Sequence, residues 1–407
     1  SSSESASGGV ASVFWRLGSR LTAVLGQPTS YPGGPIRHAE ASGGGVAMRV
    51  LVVSTPVGEL GSGRGGGVEV TAMGLVAGLL ARGHGVTVLA AAGSVLAPSC
   101  AGAELLSASG VDQPSWQHRP RSTPVEIPAG ALLPRLWERA LGEQHRFDVL
   151  LNLAYDWLPF WLTPHTATPV AHLVSMGSVA DAMDEVIAAV ARWRPDRLAF
   201  HTAAQASDFQ LPGPPVIVGN GFDPAAYAVG ADPEQVLGWA GRIAPEKGLE
   251  DAARVAHRLG RPLRVWGLRQ DEAYARAVEA SVPPGTLQWR GFLPTAAFQA
   301  ELGACQVLLN TPKWNEAFGN VVVEAMACGV PVAAYARGGP AELVREGVTG
   351  ALAPADDPLA LEQAVLRALE VPRAGCRQWF ERHHTVAVFS QRLENWLKAV
   401  VRGSDGG

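Results

Sequence analysis

The feature that most constrains this chain is one rhythm repeated along it. A short apolar run is followed by a loop, then by residues at helical spacing, then by another apolar run. RVLVV at 49–53 has no polar alternation, as a parallel strand buried on both faces requires. A glycine-rich loop at 58–67 follows it. In the next stretch, residues 68–85, Val68, Met73, Val76, Leu79 and Leu80 fit one helical face, and Gly83 and Gly85 end it. VTVLAA at 86–91 is another buried run. Strand, loop, helix and strand in that order start a doubly wound parallel sheet.

The rhythm continues with strands expected at 147–155 and 169–176, a helix at 181–193, and strands at 198–203 and 215–223. It then restarts. A strand at 236–242, a helix at 248–260, and strands at 263–267, 287–293, 307–311, 331–335 and 350–354 alternate with helices at 273–281, 295–305 and 320–329. Two βαβ series without a long antiparallel run predict an α/β chain of two Rossmann-like parallel-sheet domains. The Pro-rich LPGPP at 211–215 breaks regular structure and suits a hinge. The expected domains are therefore 48–214 and 215–385, followed by an amphipathic last helix within 386–407.

Length and composition agree. The 407 residues suffice for two cores, and 47% hydrophobic with 17% charged is ordinary for a globular α/β protein. The net charge of −4 gives no basic stripe for nucleic acid. No run of 18 apolar residues is present, so a spanning helix is not expected. The four cysteines (Cys100, Cys305, Cys328 and Cys376) lack CxxC spacing and read as buried thiols rather than a zinc site or a disulfide framework. Residues 1–47 differ from the rest. They are Ser/Gly-rich with a short, mildly amphipathic, arginine-bearing stretch, and read as a disordered leader or an organelle transit peptide. The compartment follows from that choice, cytoplasmic in the first case and plastid in the second.

Three stretches carry chemistry. In PVGELGSGRGGGVEV (56–70), the glycines, Gly65, Gly66 and Gly67 among them, stand between a buried strand and a helix start. Backbone N–H groups there can close on a diphosphate. Neither a Gly-Lys-Ser/Thr P-loop nor a clean GxGxxG with an acidic ribose partner is present, which disfavours a dinucleotide oxidoreductase. In GRIAPEKG (241–248), Gly241 opens a strand end. Arg242 and Lys247, five residues apart across a turn, can face one anion and neutralise a departing diphosphate without a metal. In EAFGNVVVE (316–324), Glu316 sits in a loop and Phe318, Gly319, Asn320 and Val321 start a helix whose N–H groups can cap a phosphate. Glu324, inside that helix, can accept two vicinal ribose hydroxyls. No Asp-x-Asp triplet is present to hold a metal.

The order of these stretches, with NGFD (220–223), GGPAELV (338–344) and GVTGALAPADDP (347–358), resembles the large retaining glycosyltransferase family 4 over about residues 48–400. The resemblance implies a GT-B fold, with two Rossmann-like domains facing a central cleft. It also implies a hexosyltransferase that takes a nucleotide-sugar donor, needs no metal or other cofactor, and retains the anomeric configuration. It puts Arg242 and Lys247 on the diphosphate, Glu316 on the hexose and Glu324 on the ribose, and sends the last helix back onto the first domain. The family's cleft histidine falls on PVAHLVSMGS (169–178), where His172 is either that residue or a buried core histidine, with Ser175 or Met176 then taking the position.

More narrowly, STPVGELGSGRGGGVEVT (54–71) with PVAHLVSMGS resembles the cyanobacterial UDP-glucose:tetrahydrobiopterin glucosyltransferases. That implies UDP-glucose as the sugar donor and a pterin as a small-molecule acceptor. Tyr155, Trp157, Phe160 and Trp161 then form either a platform for the flat ring or a core layer. Two other functions share the fold plan: a UDP-sugar epimerase, and a glycosyltransferase acting on a lipid or polysaccharide. A non-catalytic nucleotide-sugar binder is disfavoured by the intact Glu316, Arg242 and Lys247.

Overall fold

The computed structural model describes residues 47–62, 67–230 and 232–404; the leader therefore lies outside the described residues. The first lobe is built on a seven-stranded sheet in the order β3-β2-β1-β4-β5-β6-β7. Its strands are β1 Arg49–Val53, β2 Gly85–Ala91, β3 Glu104–Ala108, β4 Val149–Asn152, β5 Val170–Leu173, β6 Leu198–Phe200 and β7 Val216–Ile217. β1 pairs in parallel with both β2 and β4, so its apolar residues are covered from every side. The second lobe has a six-stranded sheet in the order β10-β9-β8-β11-β12-β13. Its strands are β8 Leu237–Ala240, β9 Leu263–Trp266, β10 Leu287–Gly291, β11 Val307–Asn310, β12 Val332–Tyr335 and β13 Gly350–Ala353.

Each order reverses once, between β1 and β4 and between β8 and β11, and leaves a crevice beyond the carboxyl ends of those strands. Helices named below are α1 Gly67–Ala81, α2 Trp157–Leu162, α3 Asn320–Ala327, α4 Gly338–Leu343 and α5 Val386–Ser404.

Three expectations are corrected. The boundary at 214/215 is too early. β7 pairs with Ala199 and Phe200 of β6, and the Val218 amide donates to the Phe200 carbonyl at 2.9 Å, so the first lobe runs through 218. The buried side of α1 is Ala72, Leu75, Val76 and Leu79, while Val68, Met73 and Leu80 are only partly covered. Gly74 and Gly78 on that helix turn toward α5, whose Val386 and Ser390 a Cβ would touch, and this second cover rotates the buried face. Strand β3 has no counterpart among the expected strands. ELLSA is a half-exposed edge and lacks the continuous apolar run.

Helix α5 begins at Val386 and lies against the first lobe. Phe389, Leu393, Trp396, Leu397 and Val400 share one core with Val50, Val52, Leu75, Leu79 and Leu151. Each fully buried side chain of this size contributes about 1.5–3 kcal/mol relative to exposure. Glu394 adds an ion pair to Arg82 and approaches His84 Nε2 at 3.3 Å. The four cysteines are free and buried, and among the described residues no helix is long and apolar enough to cross a membrane.

Candidate functional site

The carboxyl ends of the two sheets face a cavity of about 1340 Å³. Residues just beyond β1, β4 and β5 line it from one side, among them Thr55, Tyr155 and Ser175. Gly241, Asn310 and the stretch 316–321 line it from the other.

On the second-lobe wall, β8 ends at Ala240 and the chain turns through 245–247. Gly248 has φ 66°, and a Cβ there would stand 2.1 Å from the Thr311 carbonyl oxygen. Only glycine lets this turn tuck under the end of β11. The turn carries Lys247, whose Nζ donates to Glu316 Oε1 at 2.8 Å and lies 5.2 Å from the centroid of the Trp314 ring. Arg242 lines the same cavity. Its Nη1 donates to Gln270 Oε1 at 2.7 Å and pairs with Glu246 at 3.1 Å, and its Nη2 reaches Gln117 Oε1 of the first lobe at 3.3 Å. Arg242 and Lys247 thus line one cavity, each held by its own protein partners.

The loop carrying Glu316 is fixed from behind by α4. The Gly339 amide donates to the Glu316 carbonyl at 2.7 Å, and a Cβ on Gly339 would come within 2.2 Å of the Phe318 carbonyl oxygen. The glycines of GGPAELV are thus a requirement of close backbone approach. Gly319 caps α3, whose first N–H groups have no intrahelical acceptor. Asn320 and Val321 line the cavity with Gly319, while the Phe318 ring packs into the core 5.9 Å from the His201 ring. Glu324 also lines the cavity. Its Oε1 accepts from the Tyr227 hydroxyl at 3.0 Å, and burial pushes its carboxyl up to about 7. Tyr227 carries no local sequence signal, because its partner lies 97 residues away.

Of the glycine-rich loop, Gly67 and Gly61 line the cavity, and Gly65 and Gly66 lie outside the described residues. Glu69, buried on α1, accepts from the Gly61 amide at 2.9 Å and fixes the loop's start. A Cβ on Gly67 would meet Asn320 Nδ2 at 2.8 Å, so the two helix starts touch across the cleft. Elsewhere the lobes are joined by Thr202 Oγ1 donating to the Ala317 carbonyl at 2.7 Å and by Asn315 Nδ2 donating to Asp208 Oδ1 at 2.9 Å.

His172 is not a cleft residue. It is fully buried in β5. Asn152 Nδ2 donates to its Nδ1 at 3.0 Å, and its Nε2 faces Thr163 Oγ1 at 2.7 Å. The Thr163 hydroxyl donates to the Pro159 carbonyl, so the imidazole proton sits on Nε2. The ring stacks on Phe160 with centroids 4.1 Å apart, and burial holds the imidazole down at about 3. The cavity is lined instead by Ser175 and Met176, beyond the strand's end. The four aromatics take the second of their two expected roles and pack together in one core layer. Phe160 is in the core on His172, Trp157 and Trp161 stack on each other at 5.7 Å, and only Tyr155 of the four lines the cavity. Trp116 and Asp156 join it there, and neither was singled out by a motif. Among the described residues no group of three or more His, Cys, Asp or Glu side chains is gathered as a metal ion would need.

Residues 234–371 match the family described as "Glycosyl transferases group 1". The chain is 34% identical over 187 residues to the 2-deoxystreptamine N-acetyl-D-glucosaminyltransferase of Streptomyces fradiae, covering 42% of this chain and 44% of that protein. It is 35% identical over 144 residues to a D-inositol 3-phosphate glycosyltransferase of Mycobacterium sp. (strain KMS), covering 33% and 32%. The chain thus spans less than half the length of these curated relatives. Among solved structures it resembles AviGT4, a glycosyltransferase involved in avilamycin A biosynthesis (TM-score 0.66, 22% identity, 88% of this chain and 98% of that one). It also resembles Anabaena Alr3699/HepE in complex with UDP (TM-score 0.68, 18% identity, 86% and 100%). The fold is GT-B, two parallel-sheet Rossmann-like lobes around a cleft.

Proposed function

With a group 1 glycosyltransferase half set on a GT-B frame, we propose that this protein is a hexosyltransferase that moves glucose from UDP-glucose to a hydroxyl of a small molecule, with retention at the anomeric carbon and without a metal ion. One observation carries the reading: Arg242, Lys247, Glu316, Glu324 and the start of α3 line a single cavity. Each has a task there. Arg242 and Lys247 neutralise the charge that develops on the departing diphosphate, and the N–H groups at Asn320 and Val321 add to it. Glu316, held by Lys247, accepts from hexose hydroxyls. Glu324 accepts from the ribose diol. Closure of the lobes excludes water, so these charges act at low dielectric. The acceptor hydroxyl attacks the face from which the diphosphate leaves, and the leaving phosphate takes its proton.

The acceptors in the relatives' names, 2-deoxystreptamine and D-inositol 3-phosphate, support a small-molecule acceptor here. The UDP bound in the Anabaena structure supports a uridine donor. A pterin acceptor would find Tyr155 and Trp116 on the first-lobe wall. The test is transfer from UDP-glucose to a panel of polyols and tetrahydropterins with and without a chelator, reading the product's anomeric coupling by NMR. An α-linked product formed equally well in chelator supports the proposal. A β-linked product, activity restored only by magnesium, or epimerised UDP-sugar without acceptor would each refute it.

A further inference from the structure

The cavity, about 1340 Å³, exceeds the roughly 300–1,000 Å³ of an ordinary small-molecule pocket and leaves room for a second substrate beside the nucleotide. The two walls differ in sign. All three lining Lys and Arg residues (Arg242, Lys247 and Arg269) stand on the second lobe. Among the described residues the first-lobe wall holds no Lys or Arg, and two carboxylates, Glu69 and Asp156. Its histidines, His118 and His201, are held below the usual imidazole range, chiefly by burial.

Glu69 is occupied with the glycine-rich loop, as described. Asp156 is placed differently. It is 7% exposed and stands in the lining with Trp116 and Tyr155. Its Oδ1 caps α2 by accepting the Trp157 amide at 2.8 Å. Burial raises its carboxyl above the ordinary range, and the Trp157 amide, the Trp116 indole, Arg119 and the Leu158 amide act against that rise. Arg119 rests 5.1 Å from the centroid of the Trp116 ring and outside the lining. A carboxylate kept in so apolar a wall costs free energy unless a cation answers it. A phosphorylated acceptor would bring negative charge to a wall that already has two carboxylates and, among the described residues, no Lys or Arg of its own.

We propose that the first-lobe wall selects an acceptor bearing an ammonium group near its reactive hydroxyl, and that Asp156 recognises that group. The inference rests on the sugar-transfer reading above and narrows its acceptor. An ammonium offers three N–H donors to a carboxylate, and the neighbouring Trp116 and Tyr155 rings favour a cation within about 6 Å.

The experiment uses the full chain, UDP-glucose and three matched acceptors: myo-inositol, an aminodeoxy-inositol and inositol 1-phosphate. The amine should exceed inositol in kcat/KM by about tenfold or more, as one charge-assisted hydrogen bond supplies, and the phosphate should be slowest. D156N keeps an oxygen to cap α2, and it should bring the amine-to-inositol ratio toward one through KM for the amine. A wild-type enzyme that treats amine and inositol alike, or prefers the phosphate, overturns the inference, and so does an undiminished amine preference in D156N. If D156N does not fold, the wild-type ranking decides alone. Transfer only to lipid or polysaccharide overturns this inference and leaves sugar transfer standing, whereas no consumption of UDP-glucose with any acceptor overturns both.

Discussion

Replacing Lys247 by alanine tests the central electrostatic argument. Its Nζ is 2.8 Å from Glu316 Oε1, and the two side chains are 15% and 17% exposed, so the pair is largely removed from solvent. At an effective dielectric of about 20, two unit charges 4 Å apart interact by about 4 kcal/mol. The diphosphate already carries charge in the ground state, so part of that attraction is spent on binding and the rest on the charge that develops as the bond breaks. Loss of one preorganised partner of that kind typically lowers kcat by about 10²–10³. Lys247→Ala should therefore reduce kcat by roughly that factor and raise the Kd for UDP by about tenfold. It also leaves Glu316 without its ammonium, which should cost about 1–3 kcal/mol of stability. Single-turnover transfer rates, calorimetric UDP binding and thermal melts measure the three separately. A variant that melts normally, binds UDP as the wild type does and transfers within threefold of the wild-type rate would refute the reasoning.

Two further outcomes follow from the buried titratable groups. The Glu324 carboxyl is raised to about 7 in the free protein, so it binds a proton that the unfolded chain would have released. Its contribution to stability is therefore present below the usual carboxylate range and lost as pH rises through about 7. A ribose diol prefers the ionised form, so UDP affinity should strengthen from pH 5 toward 7 and then level, and Glu324→Gln should flatten that profile in calorimetric titrations. His172, held at about 3 against an ordinary value near 6.5, excludes a proton that the unfolded chain accepts, so its contribution is lost as pH falls from about 6.5 toward 3. His172→Ala should cost about 2–4 kcal/mol in denaturant melts by emptying the buried space beside Phe160 and removing one hydrogen bond each from Asn152 and Thr163. The folded fraction should keep its KM for UDP-glucose, and a large KM change would return His172 to the cleft.

Much of the fold was legible because buried parallel strands announce themselves locally. RVLVV, VTVLAA and the runs that became β8, β9, β11 and β12 are mostly apolar and largely buried on both faces, and their alternation with helical stretches points to the chain's class. Where an element is half-exposed or very short, the signal fades. ELLSA at the sheet edge has no continuous apolar run, and β7 is two residues whose membership depends on pairing with β6.

The site divides in the same way. Sequence alone determined which residue types stand at the ends of β8 and β11 and at the start of α3, because Gly241, Arg242, Lys247, Glu316 and Glu324 lie within short stretches whose spacing is set by local backbone geometry. Only the tertiary structure decided which side of a strand faces the cleft. It turned His172 into the core between Asn152 and Thr163, put Ser175 and Met176 on the cavity wall, and packed the four aromatics into one core cluster from which only Tyr155 reaches the cavity. It also supplied Tyr227 to Glu324 and gathered Trp116 and Asp156 on one wall. The reason is range. Hydrophobic periodicity and turn chemistry act over a few residues, whereas side-chain partners and the sign of a cavity wall are set by segments tens of residues apart that meet only when the sheets form.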